Sequence, residues 1–303
     1  MTNRALAIEL GLVQERGGIV GRWIERLVEM PSVWMLLNCL CFLFLCSSVY
    51  AEDRGPLVPK HTFGIGVGAS CFEYAEDAPL GKVEIDGPMY EVVGDYTYHD
   101  HVMLSASVNY SVGDHDYEGF VYATHPDGGG EWSPLKSDHD TEVVEGRGLI
   151  GYDYVFRGRY LVTPFLGIGY RYWNDDNEEA FGTEREIAYW YSPIGLMTQG
   201  PLSNTWNWGM TLEYDLFWDG DVDSGLRDAP TIHLDSGYGV RFSLCLMTPL
   251  TEDIDLSFET YITYWDIERA REPIYTVPGV GSVWAVEPEN DTTTYGLRMS
   301  VRF

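Results

Sequence analysis

The last nine residues, Tyr295 to Phe303, read YGLRMSVRF. Successive side chains of an extended chain point to opposite sides. Tyr295, Leu297, Met299, Val301 and Phe303 therefore share one face, and Gly296, Arg298, Ser300 and Arg302 share the other. A strand with one face uniformly apolar and the other glycine, serine and arginine suits a wall between hydrocarbon and a polar interior. The same rhythm recurs upstream. In 206–218 the faces are Trp206, Trp208, Met210, Leu212, Tyr214, Leu216 and Trp218 against Asn207, Thr211, Glu213 and Asp215. In 144–156 they are Val144, Ile150, Tyr152, Tyr154 and Phe156 against Glu145, Arg147 and Asp153. Aromatics at the ends with aliphatics between read as interface girdles.

Ten such segments are predicted, at 62–73, 88–98, 101–113, 141–156, 159–173, 184–198, 205–219, 232–248, 252–267 and 292–303. In 62–73 the inner face is glycine rather than charge, and in 184–198 Pro193 and the run Tyr189, Trp190, Tyr191 leave the faces ambiguous. Short turns near Asp100, Arg157, Gly200–Asn204 and Thr248–Thr251 alternate with long connections at 74–87, 114–140, 174–183, 220–231 and 268–291. That asymmetry puts both termini and every short turn at the periplasmic end. The expected fold is all-β: a closed antiparallel up-and-down transmembrane β-barrel of about ten strands, within a range of about 8 to 12. Closure removes the exposed edges that invite aggregation. The closing pattern Tyr295, Leu297, Met299, Val301, Phe303 resembles the signal by which outer-membrane barrels are recognised. That resemblance implies the barrel-assembly machinery as a partner and the outer membrane of a Gram-negative bacterium as the address.

Export is also written at the other end. Residues 33–51 read VWMLLNCLCFLFLCSSVYA, an apolar core followed by small residues, with Val49 and Ala51 where a signal peptidase reads. The expectation is an upstream segment plus signal peptide over 1–51, cleaved after Ala51, and a single barrel domain over 52–303; a retained membrane anchor is the alternative. Met30 is a second candidate start. The chain of 303 residues has 47 acidic and 19 basic residues, a net charge of -28. Residues 1–51 carry four arginines and four glutamates, so processing leaves that charge unchanged. Such a charge excludes nucleic acid as a partner. Cys71 and Cys245, the cysteines beyond the leader, are expected to be unpaired thiols.

The inner faces assign Glu91, Asp95, Glu145, Arg147, Asp153, Arg171, Glu213, Asp215, Asp235, Arg241, Asp255, Glu259, Arg298 and Arg302 to the lumen. A barrel of about eight strands is filled by its own side chains and one of about sixteen is an open channel. Two readings follow, an ion-paired structural interior and a narrow ion or small-solute conduit. The leading reading is a structural or surface-binding barrel whose acidic outer loops meet outer-membrane lipid, lipopolysaccharide and divalent cations. No cofactor is expected.

The segment GDHDYEG, with Asp114, His115 and Asp116, resembles the omptins, ten-stranded outer-membrane proteases that use an Asp-x-Asp pair facing an Asp-x-His pair at the extracellular rim. HDTEVVEGRGL (His139 to Leu149) and YSPIGL (Tyr191 to Leu196) look loosely like omptin strands. The resemblance implies a rim hydrolase with Asp114 and Asp116 as catalytic carboxylates. The sequence departs from the family at 219–231, which contains no His, and His233 has Thr231 where the partner Asp belongs. A lipid-modifying barrel would instead need Ser, His and an acid together. Among the seven His, His61, His99 and His101 belong to the periplasmic side and His115, His125, His139 and His233 to the outer side, none with an evident nucleophile spacing. Asp219, Asp221 and Asp223 resemble the opening of a calcium loop, yet Gly225 comes one place late and Pro230 stands where the bidentate Glu belongs. They remain candidates for holding a hard cation.

Overall fold

A computed structural model describes residues 60–78, 81–124, 130–177, 184–225, 230–277 and 281–303. The expected signal segment and cleavage point lie outside these residues, as does His125. The chain runs through β1 (Lys60–Ala78), β2 (Gly81–His99), β3 (Val102–Thr124), β4 (Gly130–Tyr152), β5 (Tyr154–Phe156), β6 (Tyr160–Asp176) and β7 (Arg185–Pro201). It continues through β8 (Asn207–Ser224), β9 (Ile232–Leu234), β10 (Gly237–Pro249), β11 (Asp255–Ile267), β12 (Ala270–Val277), β13 (Gly281–Glu287) and β14 (Asn290–Arg302). Each long strand pairs antiparallel with its neighbours in sequence order, β1 pairs with β14, and β8 pairs with β10. The result is a closed up-and-down barrel of ten long strands, with β5 continuing β4 along β6 and β9 lying on the end of β8. β12 and β13 form a separate hairpin between β11 and β14.

The faces follow the alternation. Ile65, Val67, Tyr90, Val92, Leu104, Val108, Ile150, Leu166, Leu212, Leu297 and Met299 are exposed on the outside, forming the surface that hydrocarbon covers. Trp190, Ile194 and Leu196 are exposed while Ile187, Tyr189 and Tyr191 are buried, which settles the ambiguous faces of β7.

The long connections differ from expectation. Much of 74–87 and 114–140 is strand: β3 and β4 each run 23 residues and pair from Val102↔Tyr152 to Thr124↔Gly130. A membrane crossing takes about 9–11 residues, so roughly half of this hairpin stands outside the bilayer. Around Asp114–Asp116 and Ser137–Thr141 both faces carry polar side chains, and the contrast that reveals a strand in sequence vanishes. A second departure lies in β8. Trp190 pairs with Asp219 and Tyr191 with Phe217, so Trp218 is an extra, bulged residue. A bulge reverses the parity of everything beyond it. Val222 turns inward and is buried, while Asp219 and Asp223 are exposed on the outside. Parity shifts again between β9, where Ile232 and Leu234 are buried, and β10, where Arg241 faces inward. Asp235 sits in that break and is exposed, contrary to its assignment to the lumen.

Candidate functional site

The middle of the lumen is crossed by charge pairs. Arg241 on β10 donates from Nη1 to Glu145 Oε2 on β4 at 2.8 Å and from Nε to Asp215 Oδ2 on β8 at 2.7 Å. Its Nε also lies 3.3 Å from Glu213, which takes a further hydrogen bond from Arg147 on β4. β4 and β10 are four places apart around the ten-strand ring, so the Arg241–Glu145 pair crosses the interior rather than running along the wall. Tyr191 donates to Glu145 at 2.7 Å. On the far side, Arg298 donates to Glu91 at 2.8 Å and lies 3.4 Å from Glu259, and Arg302 lies 3.7 Å from Asp95. The Arg298–Glu91 and Arg302–Asp95 pairs straddle β1. A Cβ at Gly68 would meet Glu91 Oε1 at 2.5 Å, and one at Gly64 would meet the Asp95 carboxylate. The glycine face of β1 is therefore the space through which side chains of β14 and β2 touch. Asp153 accepts from Thr163 and lies 3.0 Å from His99 Nδ1; Arg171 is buried and Asp255 pairs in register with Arg302.

Above this layer the interior is aromatic. Phe72, Tyr74, Trp173, Tyr189, Tyr191 and Trp265 are at most 5 % exposed and belong to one cluster, with Trp265 edge-on to both Tyr189 and Tyr191. Arg185 on β7 donates to the Tyr74 hydroxyl on β1, directly across the ring, at 2.8 Å, and to Glu287. A cavity beside Arg171, Trp173 and Tyr189 has a volume of about 10 Å³, room for a single water. Met103, Leu149 and Phe165 close a smaller apolar cluster nearer the periplasmic end. Charge alone was expected in the lumen. The inward parity of Phe72, Trp173 and Trp265 in the sequence was the signal for a second, apolar filling.

Beyond the outer apolar belt lies a buried chain of polar side chains. Ser137 Oγ is 3.1 Å from His139 Nε2, His139 Nδ1 is 2.7 Å from Asp175 Oδ2, and Thr141 Oγ1 donates to Asp175 Oδ1 at 3.1 Å. His115 Nδ1 is 2.8 Å from Thr141 Oγ1. Because the Thr141 hydroxyl proton goes to the carboxylate, His115 must donate from Nδ1, and its buried Nε2 has no partner. Burial holds the His115 pKa below the ordinary imidazole value. The two rings are clamped by stacking, Phe72 on His115 at 5.0 Å and Tyr117 on His139 at 4.7 Å. Sequence reasoning missed this cluster because Ser137 and His139 lie inside a segment read as loop, while Asp175 comes from a different strand.

The carboxylates expected to be catalytic are placed elsewhere. His115 points inward, so Asp114 and Asp116 on either side of it face outward and are exposed. They do not oppose a histidine across the rim. They stand instead in two cross-strand rows, Asp86↔Asp116↔Asp138 and Asp114↔Asp140↔Asp176, three aspartates each in register. Asp219, Asp221 and Asp223 do not converge either. Asp221 is bonded to His233 and Asp223 to Thr231, and among the described residues no group of three His, Cys, Asp or Glu is placed to hold a metal. Tyr295, Leu297, Met299 and Phe303 are exposed on the outside of β14, with Val301 half-buried among them. Cys71 and Cys245 are unpaired.

The model of the autotransporter β-domain matches residues 54–240. The outer membrane protease OmpT from Escherichia coli is similar in structure, with 9% identity, a TM-score of 0.58 and coverage of 85% of this chain and 99% of that one. The translocator domain of autotransporter NalP from Neisseria meningitidis aligns with 10% identity and a TM-score of 0.37 over 89% of this chain and 94% of that one. No protein among the curated sequences matches.

Proposed function

Since the chain belongs to the autotransporter β-domain family and is an outer-membrane β-barrel of a Gram-negative bacterium, we propose that it is a sealed surface barrel that binds lipopolysaccharide through divalent cations. The two aspartate rows carry this reading. Like charges directly opposite on neighbouring strands destabilise a sheet by a few tenths of a kcal/mol per pair, on the order of the gain from opposite charges. Six aspartates arranged Asp86, Asp116, Asp138 and Asp114, Asp140, Asp176 stand just beyond the outer apolar belt, at the level where lipid headgroups begin. No three of them share one ion. Two carboxylates on adjacent strands can complete the coordination of a hard cation whose other ligands are phosphate oxygens from outside. Although a cavity of about 560 Å³ beside Asp95, Ser107 and Arg147 opens below the charge layer, the blocked middle of the lumen favours a structural role over conduction, since a solute path would have to break both the Arg241–Glu145 crossing and the aromatic layer.

The test is lipopolysaccharide binding to the folded barrel in Mg²⁺ and in EDTA. The reading expects binding that needs the cation and falls at least tenfold when Asp116 and Asp138 are both changed to Asn. Binding that ignores EDTA would retire it. In planar bilayers the protein is expected to add no steady conductance, and discrete steps would favour the narrow channel.

A further inference from the structure

We propose that Ser137, His139 and Asp175 form a serine-hydrolase centre at the outer end of the lumen, acting on uncharged, short-chain carboxylic esters that arrive from outside the cell. Each bond in the chain has the direction the chemistry needs. Asp175 is acceptor only, so His139 donates to it from Nδ1 and presents the Nε2 lone pair to the Ser137 hydroxyl, 3.1 Å away. Nucleophile, base and orienting acid thus stand in the order that defines the catalytic triad by geometry and role rather than by sequence position. The second carboxylate oxygen of Asp175 is held by Thr141, and the imidazole plane by Tyr117 at 4.7 Å and 5°. These positioning residues leave the ring one orientation. Asn177 Nδ2 donates to Ser137 Oγ at 3.2 Å, so the hydroxyl accepts from Asn177 and its own proton is directed to His139.

Location supports access. β6 ends at Asp176, level with Asp140, whereas β4 continues outward to Gly130. Ser137 therefore lies past the end of β6, one of its two neighbouring strands, while β3 continues beside it through Tyr117. Ser137 is 7 % exposed, which rules out a bulky acyl group. The net charge of -28 and the outward aspartate rows disfavour anionic substrates, and the burial of Ser137 disfavours a charged group of either sign beside it, which leaves uncharged esters as the fitting class.

In the reaction Ser137 Oγ bonds to the ester carbonyl carbon while its proton passes to His139 Nε2. The ester C–O bond breaks, and the departing alcohol takes that proton. Water then attacks the acyl carbon, His139 accepts its proton, the bond to Oγ breaks and the proton returns to Ser137, releasing the carboxylic acid. No other reactant is required.

The experiment incubates the folded full-length barrel with a fluorescent fluorophosphonate, whose phosphorus takes Oγ as fluoride leaves, and separately with p-nitrophenyl acetate. Expected is a single label, mapped to Ser137 by peptide mass spectrometry, and ester turnover; Ser137→Ala loses both. His139→Gln and Asp175→Asn are expected to slow labelling by about 10³-fold or more, in line with other triads. The gel-mobility shift between folded and boiled protein verifies folding of each variant, and Ser137→Ala, which only shortens a side chain, serves where the others fail to fold. A folded wild type that takes no label, a label that persists in Ser137→Ala, or a folded His139→Gln labelled at the wild-type rate would each overturn the proposal.

Discussion

Two buried polar regions occupy this barrel, and they are satisfied in opposite ways. The mid-lumen layer joins full charges: Arg241 alone is shared by Glu145, Glu213 and Asp215. The outer cluster is a chain of hydrogen bonds in which one carboxylate, Asp175, lies against Thr141 and His139 with no arginine or lysine among the described residues bonded to it. Charges crossing a lumen fix the spacing of strands, and losing one partner leaves several ions stranded. A directional chain fixes proton positions, and losing one member changes reactivity more than stability. The mid-lumen layer therefore reads as scaffold and the outer cluster as chemistry.

Arg241→Met is expected to be the most damaging change. It leaves Glu145, Glu213 and Asp215 facing one another and lowers stability by about 3–5 kcal/mol, measured by urea unfolding in lipid vesicles. Adding Glu145→Gln should recover part of the loss; a single variant as stable as wild type would break the distinction between the layers. Trp265→Ala, which opens a void beside Tyr189 and Tyr191, is expected to cost about 3 kcal/mol. That cost should not change with salt, unlike a charge-pair loss. Thr141→Val strands the His115 Nδ1–H and one Asp175 oxygen, at about 1–2 kcal/mol in the same unfolding assay.

Acid sharpens the contrast. The folded His115 pKa is lowered by burial, so the unfolded chain binds the extra proton first. The stability owed to neutral His115 is fully present above the unfolded value near 6.5 and is lost as pH falls through the lower folded value. His115→Phe, which retains the stack on Phe72, should flatten the acid limb of the stability profile below about pH 6.5. An unchanged limb would show that His115 is not the group responsible. Smallest of all, Asp116→Asn removes a like-charge neighbour of Asp86 and Asp138 and should raise stability by a few tenths of a kcal/mol while leaving ester turnover intact.

What the sequence disclosed was whatever hydrocarbon contact imposes. From Tyr295 to Phe303, and from Leu212 to Trp218, an apolar outer face had to alternate with something else, and the ten strands, their faces and their short turns follow. Beyond the bilayer that constraint ends. Asp114 and Asp138 can stand in a strand or a loop without changing the pattern, so the extension of β3 and β4 was invisible, and with it the meeting of Ser137, His139 and Asp175. The bulge at Trp218 was hidden for a related reason. The apolar run ends there, so no residue beyond it marks the reversal that sends Asp219, Asp221 and Asp223 outward.

The glycine face of β1 has a consequence for how the cylinder shuts. Glu91 and Asp95 sit on one side of that strand, Arg298 and Arg302 on the other, and they reach each other only once the first and last strands have zipped together. The seam is thus fastened twice, by backbone pairing and by a latch of opposite charges thrown across it. A methyl group at Gly68 would press on the Glu91 carboxylate and on the Leu297 carbonyl together, jamming the latch and the ladder at one point.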